Sequence, residues 1–306
     1  MPTEYIHFTA EQKEAARQTD LVALLQSRGE RLKRSGKEYV WRDGSEKVTV
    51  RGNLWFHQYE RIGGDAVDFV RRFYNMDFPQ AVNFLLGNNG GALPQAEPVK
   101  REPPKPFTLP PKNDNMRRVY AYLLNRRGID REVLSAFVHK GMIYESADYH
   151  NAVFVGYDEH GIARHAHKRG TGSESTYKGN AESCDPRYSF HWTGTDNTLY
   201  LFEAPIDMLS FISLHKENWR SHSYAAACCV GDQVLFQMLK ANPNIDTVYL
   251  CMDNDTAGQA ANKRISDKLF IQGIKHEILV PEFKDWNEDL LYDEQEEEEI
   301  CQTLQL

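Results

Sequence analysis

The sequence predicts an α/β chain whose C-terminal part is a parallel sheet flanked by helices, preceded by an α+β core region and by a small α+β module. Three observations predict it. From Thr198 onward short apolar strands alternate with helical segments, the pattern of a parallel sheet with helices on its faces. Gly87, Gly90 and Gly91 are followed by Pro94, Pro98, Pro103, Pro104, Pro106, Pro110 and Pro111, a composition that sustains neither helix nor central strand. Ahead of that stretch, short strands are punctuated by Gly turns. The expected division is a module over 1–89, a linker over 90–113, a core subdomain over 114–196 and an α/β domain with an acidic tail over 197–306.

In the first module, Asp20 to Gln26 and Asp65 to Leu86 have helical spacing. Tyr39 to Trp41, Lys47 to Val50 and Leu54 to Phe56 read as strands. After the linker, Asn115 to Asn125 and Asp130 to Val138 read as two helices parted by Gly128, with Asp130 as N-cap. Ala152 to Val155 leads through Asp158 and Gly161 to Ile162, a hairpin that opens a strand-rich stretch reaching about Trp192. The α/β domain then reads strand Leu199 to Phe202, helix to His215, strand Tyr224 to Val230 and helix to Ala241. Strand Thr247 to Met252, a helix from Thr256 and strand Glu277 to Val280 complete it, and a terminal helix ends in the acids 293–299.

Composition narrows the function classes. A net charge of -8 argues against nonspecific coating of nucleic acid, yet basic residues collect between Arg28 and Arg72 and between Lys100 and Lys140, so phosphate contact belongs to the first half. The hydrophobic fraction is 41%, no apolar run approaches the roughly 20 residues of a membrane span, and the N-terminus lacks a signal-peptide core. A cytoplasmic protein without membrane contact is the expectation. The 5 cysteines include no CxxC pair, which points to reduced, buried thiols and no zinc site. No GxxxxGK[ST] motif occurs, so any helicase is a separate protein.

Three acids fall at the C-terminal ends of expected strands, where open parallel sheets bind ligands. Glu203 follows Phe202, and Asp253 and Asp255 follow Met252. Residues two apart on extended backbone point the same way, so Asp253 and Asp255 are able to face one ion. Oxygen ligands of this kind suit Mg²⁺ or Mn²⁺, which share their remaining positions with water and phosphate. The structural alternative is helix capping, since Asp255 precedes a helix start. Asp207 lies one turn beyond Glu203 and is placed to orient the site from behind. Lys284 and Asp285 follow the last strand, either at the same sheet edge or in an exposed loop.

The run Phe202, Glu203, Ala204, Pro205, Ile206, Asp207 and the run Met252, Asp253, Asn254, Asp255, Thr256, Ala257, Gly258 resemble the glutamate and paired-aspartate motifs of the Toprim domain. Between them, Ala225 to Gly231 is similar to that domain's intervening strand and turn. The resemblance covers about 198 to 290 and implies metal-dependent chemistry on nucleic-acid phosphates. At Ala204 and Pro205 a primase commonly carries Gly followed by a large residue. Upstream, Tyr122 to Asp130 with Val133 and Phe137, and the hairpin Asn151 to Gly161, resemble the catalytic core of bacterial replicative primases. That likeness puts Arg169 and Lys178 near primer and nucleotide, with solvated hairpin charges as the alternative reading. The same region is also similar to an uncharacterised domain joined to Toprim in mobile-element proteins.

Lys33 to Lys37, Trp55 to Tyr59 and Gly64 to Phe69 resemble a primase zinc ribbon without its cysteines, with His57 and Glu60 where a ligand pair would fall. Its basic and aromatic residues, among them Lys33, Arg34, Lys37, Arg42, Trp55 and Arg61, suit single-strand binding; the alternative is that the aromatics replace zinc as the module's core. Together the resemblances imply a primase-like nucleotidyltransferase that makes short RNA primers on single-stranded DNA from nucleoside triphosphates. The alternatives are a Toprim nuclease using the same acids, or a catalytically inactive mobile-element DNA-binding protein.

Overall fold

The computed structural model describes residues 8–43, 46–60, 62–87, 94–96, 105–228 and 231–293. The chain divides into two units, Met1–Pro103 and Pro104–Leu306. In the first, helices α1 (Ala10–Arg17) and α2 (Leu21–Ser27) precede strands β1 (Leu32–Ser35), β2 (Glu38–Asp43), β3 (Glu46–Arg51), β4 (Leu54–His57) and β5 (Gly63–Gly64), followed by α3 (Ala66–Phe73) and α4 (Phe78–Leu85). The strands form an antiparallel meander in chain order. Side chains of Thr9, Asp20, Asp65 and Asp77 cap the four helices by accepting otherwise unpaired backbone N–H groups. The sequence predicts one helix from Asp65 to Leu86, but two form. Asn75 adopts a left-handed φ of 51°, and Asp77 caps a fresh helix with Pro79 in its first turn.

Register fixes what each face of this sheet carries. Leu32, Trp41, Val48 and His57 lie opposite one another across four strands. Trp41, Trp55 and Phe69 are buried with Phe73 packed edge-on against both tryptophans at 5.2 Å. The period of two then sends Lys33, Val40, Arg42 and Lys47 to the opposite face.

The second unit begins with α5 (Arg117–Tyr120), which passes into a π-helical turn, Ala121–Arg126, and then α6 (Arg131–His139), capped by Asp130 as expected. Strands β6 (Ile143–Glu145), β7 (Ala152–Tyr157), β8 (Ala163–Arg169) and β9 (Lys178–Asn180) form an antiparallel sheet. There follow β10 (His191–Trp192), β11 (Thr198–Phe202), α7 (Pro205–Leu214), β12 (Ser223–Ala226), α8 (Gln233–Ala241), β13 (Thr247–Cys251), α9 (Thr256–Ile271), β14 (Lys275–Ile278) and helical residues 286–293. The second sheet has the order β10-β12-β11-β13-β14; its last four strands are parallel and β10 pairs antiparallel with β12. One buried cluster runs from Leu123, Phe137 and Phe154 to Phe202, Ile212 and Trp286. Segments 114–196 and 197–306 therefore share both a sheet and a core.

The last strand starts two residues earlier than its apolar run indicates, because register with Thr247 to Leu250 recruits Lys275 to Ile278. Val230 and the acids 294–299, both part of expected elements, lie outside the described residues. Among those described, no helix is long and apolar enough to cross a membrane.

Candidate active site

Two parallel strands, β11 and β13, deliver the first acids. Glu203 is the first residue beyond β11, and its carbonyl accepts the Cys228 amide at the end of β12. Pro205 opens α7, where its missing N–H loses nothing, and Asp207 follows, buried, in the same first turn. Asp253 follows β13, and Asp255 caps α9 by accepting from the amides of Ala257 and Gly258, both at 2.9 Å. Gly258 is required there: a Cβ would lie 2.0 Å from the Asp253 carbonyl oxygen. Trp286 donates to the Cys251 carbonyl at 2.9 Å and pins the last helix to the end of β13, and Asn254 donates to the Lys284 carbonyl at 2.8 Å. Asp285 caps that helix by accepting from Asn287 and Glu288.

A pocket of about 170 Å³ results, lined by the acids Glu203, Asp207, Asp253 and Asp285 together with Arg127, His167, Arg169, Lys178 and Lys284. Asp255 is a near neighbour whose charge acts on both Glu203 and Asp253, but it does not line the pocket. The structure thus gathers Glu203, Asp253, Arg169, Lys178, Asp207, Lys284 and Asp285 around one pocket. Among the described residues, no set of three or more His, Cys, Asp or Glu side chains is arranged to hold a metal ion.

The electrostatics are unusual for so many acids. Burial, reinforced by Glu203, Asp285 and Asp255 and opposed by Lys178, pushes Asp253 up to about 7. Asp207, 6% exposed, is raised well above its ordinary value by burial and by Asp253, Asp285 and Glu203. Glu203 is raised as well, chiefly by burial, with Lys178 opposing. The Asp253 Oδ1 is buried without a hydrogen-bond partner among the described residues. Although four cationic side chains line the same pocket, none forms an ion pair with a carboxylate among the described residues.

Several lining residues escaped the sequence reading. Tyr122 Oη accepts from Arg127 Nε at 3.0 Å and from Arg169 Nε at 3.3 Å, so one phenol holds two guanidinium groups. Asn287 accepts from Arg127 Nη1 at 2.9 Å and donates to the Arg127 carbonyl at 2.7 Å. His167 sits on β8 with Arg169, two residues on, and its Nδ1 lies 2.7 Å from Asn180 Oδ1 on β9. Burial, with Lys178 and Arg169 nearby, lowers its pKa to about 4 despite the Asn180 bond. The available signals were the alternation His165, His167, Arg169 and the pair Arg126 and Arg127 before a Gly.

In the N-terminal unit the expected nucleic-acid residues separate. Lys33, Arg34 and Arg42 are exposed and share one concave surface with Arg31 and Lys47, while Lys37 is exposed in the neighbouring turn. Trp55 corrects the stacking expectation. It is 6% exposed, packs on Phe69 and Phe73, and donates Nε1 to the Asp65 carbonyl at 3.0 Å, so no base reaches its face. His57 is buried and its Nδ1 accepts the Glu60 amide, while Glu60 pairs with Arg72 at 2.7 Å. Arg61 lies outside the described residues.

Comparisons with known proteins place these features in context. Residues 121–196 match a family described as protein of unknown function (DUF3991), and residues 200–290 match one described as Toprim-like. An uncharacterized protein of Bacillus anthracis, pXO2-78, is 26% identical over 274 residues, covering 84% of this chain and 79% of its own length. The primase fragment of the bacteriophage T7 primase-helicase superposes with a TM-score of 0.43 at 19% identity, over 56% of this chain and 69% of that one. The Aquifex aeolicus primase, with its zinc-binding and RNA polymerase domains, gives 0.41 at 16% identity over 95% and 84%. The pocket's acids at the ends of β11 and β13 therefore lie within the residues that match the Toprim-like family.

Proposed function

We propose that this chain is a primase-like nucleotidyltransferase that makes short RNA primers on single-stranded DNA from nucleoside triphosphates, with Mg²⁺ or Mn²⁺ as its ion. The observation that carries the reading is the pocket lined by both carboxylates and four cationic side chains that, among the described residues, join in no ion pair. Such a separation leaves the acids for a cation and the bases for phosphate. The residues fit the ion: every donor is a hard carboxylate oxygen, Asp253 Oδ1 is buried and unpartnered, and Mg²⁺ needs only one or two carboxylates beside water and phosphate. Glu203 and Asp253 would hold it, with Asp255 adding charge alongside. When bound, the ion favours ionisation of an attacking 3′ hydroxyl and offsets charge on departing pyrophosphate.

The remaining residues bind and orient. Arg127 and Arg169, held by Tyr122, and Lys178 take triphosphate or template oxygens. Asp207, Lys284 and Asp285, which line the same pocket, are assigned to orient the site. In the N-terminal unit, Arg42 lies directly opposite Lys47 on the exposed sheet face, a like-charge pairing that an anionic strand relieves. Lys33, Arg34, Lys37 and Arg42, with Arg61, are assigned to the template backbone, and a separate helicase supplies any unwinding.

Primer synthesis on single-stranded DNA with each ion tests this, and Glu203→Gln is expected to abolish the product. Wild-type silence on varied templates with both ions overturns the reading. Cutting of DNA without added nucleotides assigns the acids to a nuclease instead. Strand binding with no ion binding by calorimetry leaves an inactive binder.

A further inference from the structure

The pocket contains one uncharged acceptor that neither its ion-binding nor its phosphate-binding residues account for. His167 is 6% exposed, and its ring lines the pocket beside Glu203, Asp207 and Asp253. Its tautomer follows from its neighbours. Asn180 donates Nδ2 to the Cys228 carbonyl at 3.3 Å, and a carbonyl only accepts, so the amide oxygen is the atom that faces His167. That oxygen also only accepts, which assigns the imidazole proton to Nδ1 and leaves a lone pair on Nε2. Nε2 has no hydrogen-bond partner among the described residues, although Arg127, Arg169, Lys178 and Lys284 line the same pocket.

The other polar lining groups are already matched to charged partners of a nucleotide: carboxylates to a cation, guanidinium and ammonium groups to phosphate. Asn287, the remaining neutral amide, is occupied by Arg127 and by Ser210, to which it donates at 3.0 Å. A neutral, buried acceptor calls for a neutral donor, and next to the phosphates of a nucleotide that donor is a sugar hydroxyl. We propose that His167 Nε2 accepts a hydrogen bond from a sugar hydroxyl of the nucleotide bound in this pocket, and that Asn180 holds the ring in the tautomer able to do so. The proposal rests on the nucleotidyltransferase reading and adds to it a determinant of discrimination between ribose and deoxyribose.

The test measures binding of ATP, 2′-deoxy-ATP and 3′-deoxy-ATP to the full chain with Mg²⁺ by calorimetry. Wild type is expected to prefer ATP over one of the two analogues by about fivefold or more, the scale of one buried hydrogen bond. His167→Leu removes that preference, and His167→Gln, which keeps an acceptor, retains part of it. Asn180→Asp preserves the preference because a carboxylate also accepts from Nδ1. Asn180→Lys, a donor only, removes it even if His167→Leu fails to fold. Equal wild-type binding of all three ligands overturns the hydroxyl contact and leaves the nucleotidyltransferase reading standing, whereas no triphosphate binding removes both. Weakened Mn²⁺ binding by His167→Leu in the absence of nucleotide assigns Nε2 to the ion and also overturns the proposal.

Discussion

In Met1–Pro103 the charged side chains of the basic face stand in water over a core closed by Trp41, Trp55, Phe69 and Phe73, and the two indole N–H groups are met from within the unit, by Glu30 and by the Asp65 carbonyl. In Pro104–Leu306 the arrangement is reversed. Carboxyl groups are drawn beneath the surface beside one another, Asp253 Oδ1 is left without a partner, and the nearby cations are kept apart from them. A fold selected for stability alone satisfies its buried polar groups, so the second pattern marks where stability has been given up for binding. The first unit carries its basic charge on a surface that its core does not need.

Trp55→Ala is the largest expected break in this comparison. Removing a buried aromatic ring destabilises by about 3–5 kcal/mol, so thermal melting followed by near-UV circular dichroism should lose the N-terminal transition or shift it steeply downward. If Trp55 served as a stacking platform instead, strand affinity would fall while melting stayed put. Asp253→Asn should act in the opposite direction. A carboxyl raised from 3.8 to about 7 keeps in the folded state a proton that the unfolded chain releases, so folding stability falls as pH rises between those values and is level above them. The amide lacks this penalty. Its melting temperature should equal that of wild type near pH 4 and exceed it above pH 7, by roughly 1–2 kcal/mol of stability once partial exposure is allowed for. Priming activity should be lost over the same range. A variant both less stable and inactive would place Asp253 with the structural residues.

The sequence made most of this legible wherever a local rule governed. Asp130 and Asp255 preceded apolar or small-residue runs in the manner of N-caps, and β11 and β13 were marked by apolar runs ending in acids. Pairwise choices that only packing makes were not visible. Trp55 belongs to an aromatic sequence equally suited to stacking on bases or to filling a core, and its orientation depends on register with Val50 and Gly64. Likewise, Tyr122, Arg127 and Asn287 enter the site through a π-helical turn and a contact between positions 160 apart in sequence. Of the two readings of Asp255, helix cap and ion ligand, the structure shows the cap on α9, with the carboxylate's charge also acting on Glu203 and Asp253.

The smallest effect is expected on the basic face, where Lys33→Ala with Arg42→Ala separates surface function from core stability. Both side chains are exposed, and Arg42 sits across from Lys47, so their loss should leave melting unchanged or raise it by a few tenths of a kcal/mol through relief of like-charge repulsion. Each phosphate contact to single-stranded DNA contributes about 0.7 to the slope of log affinity against log salt, so losing two should reduce that slope by about 1.4 in a fluorescence titration over a salt series. The reduction should be the same for different template sequences, since backbone contacts carry no base information. A slope that does not move would assign the template to other residues and leave the face merely solvated. Melting that falls as far as in Trp55→Ala would mean that this surface, too, is part of what holds the unit together.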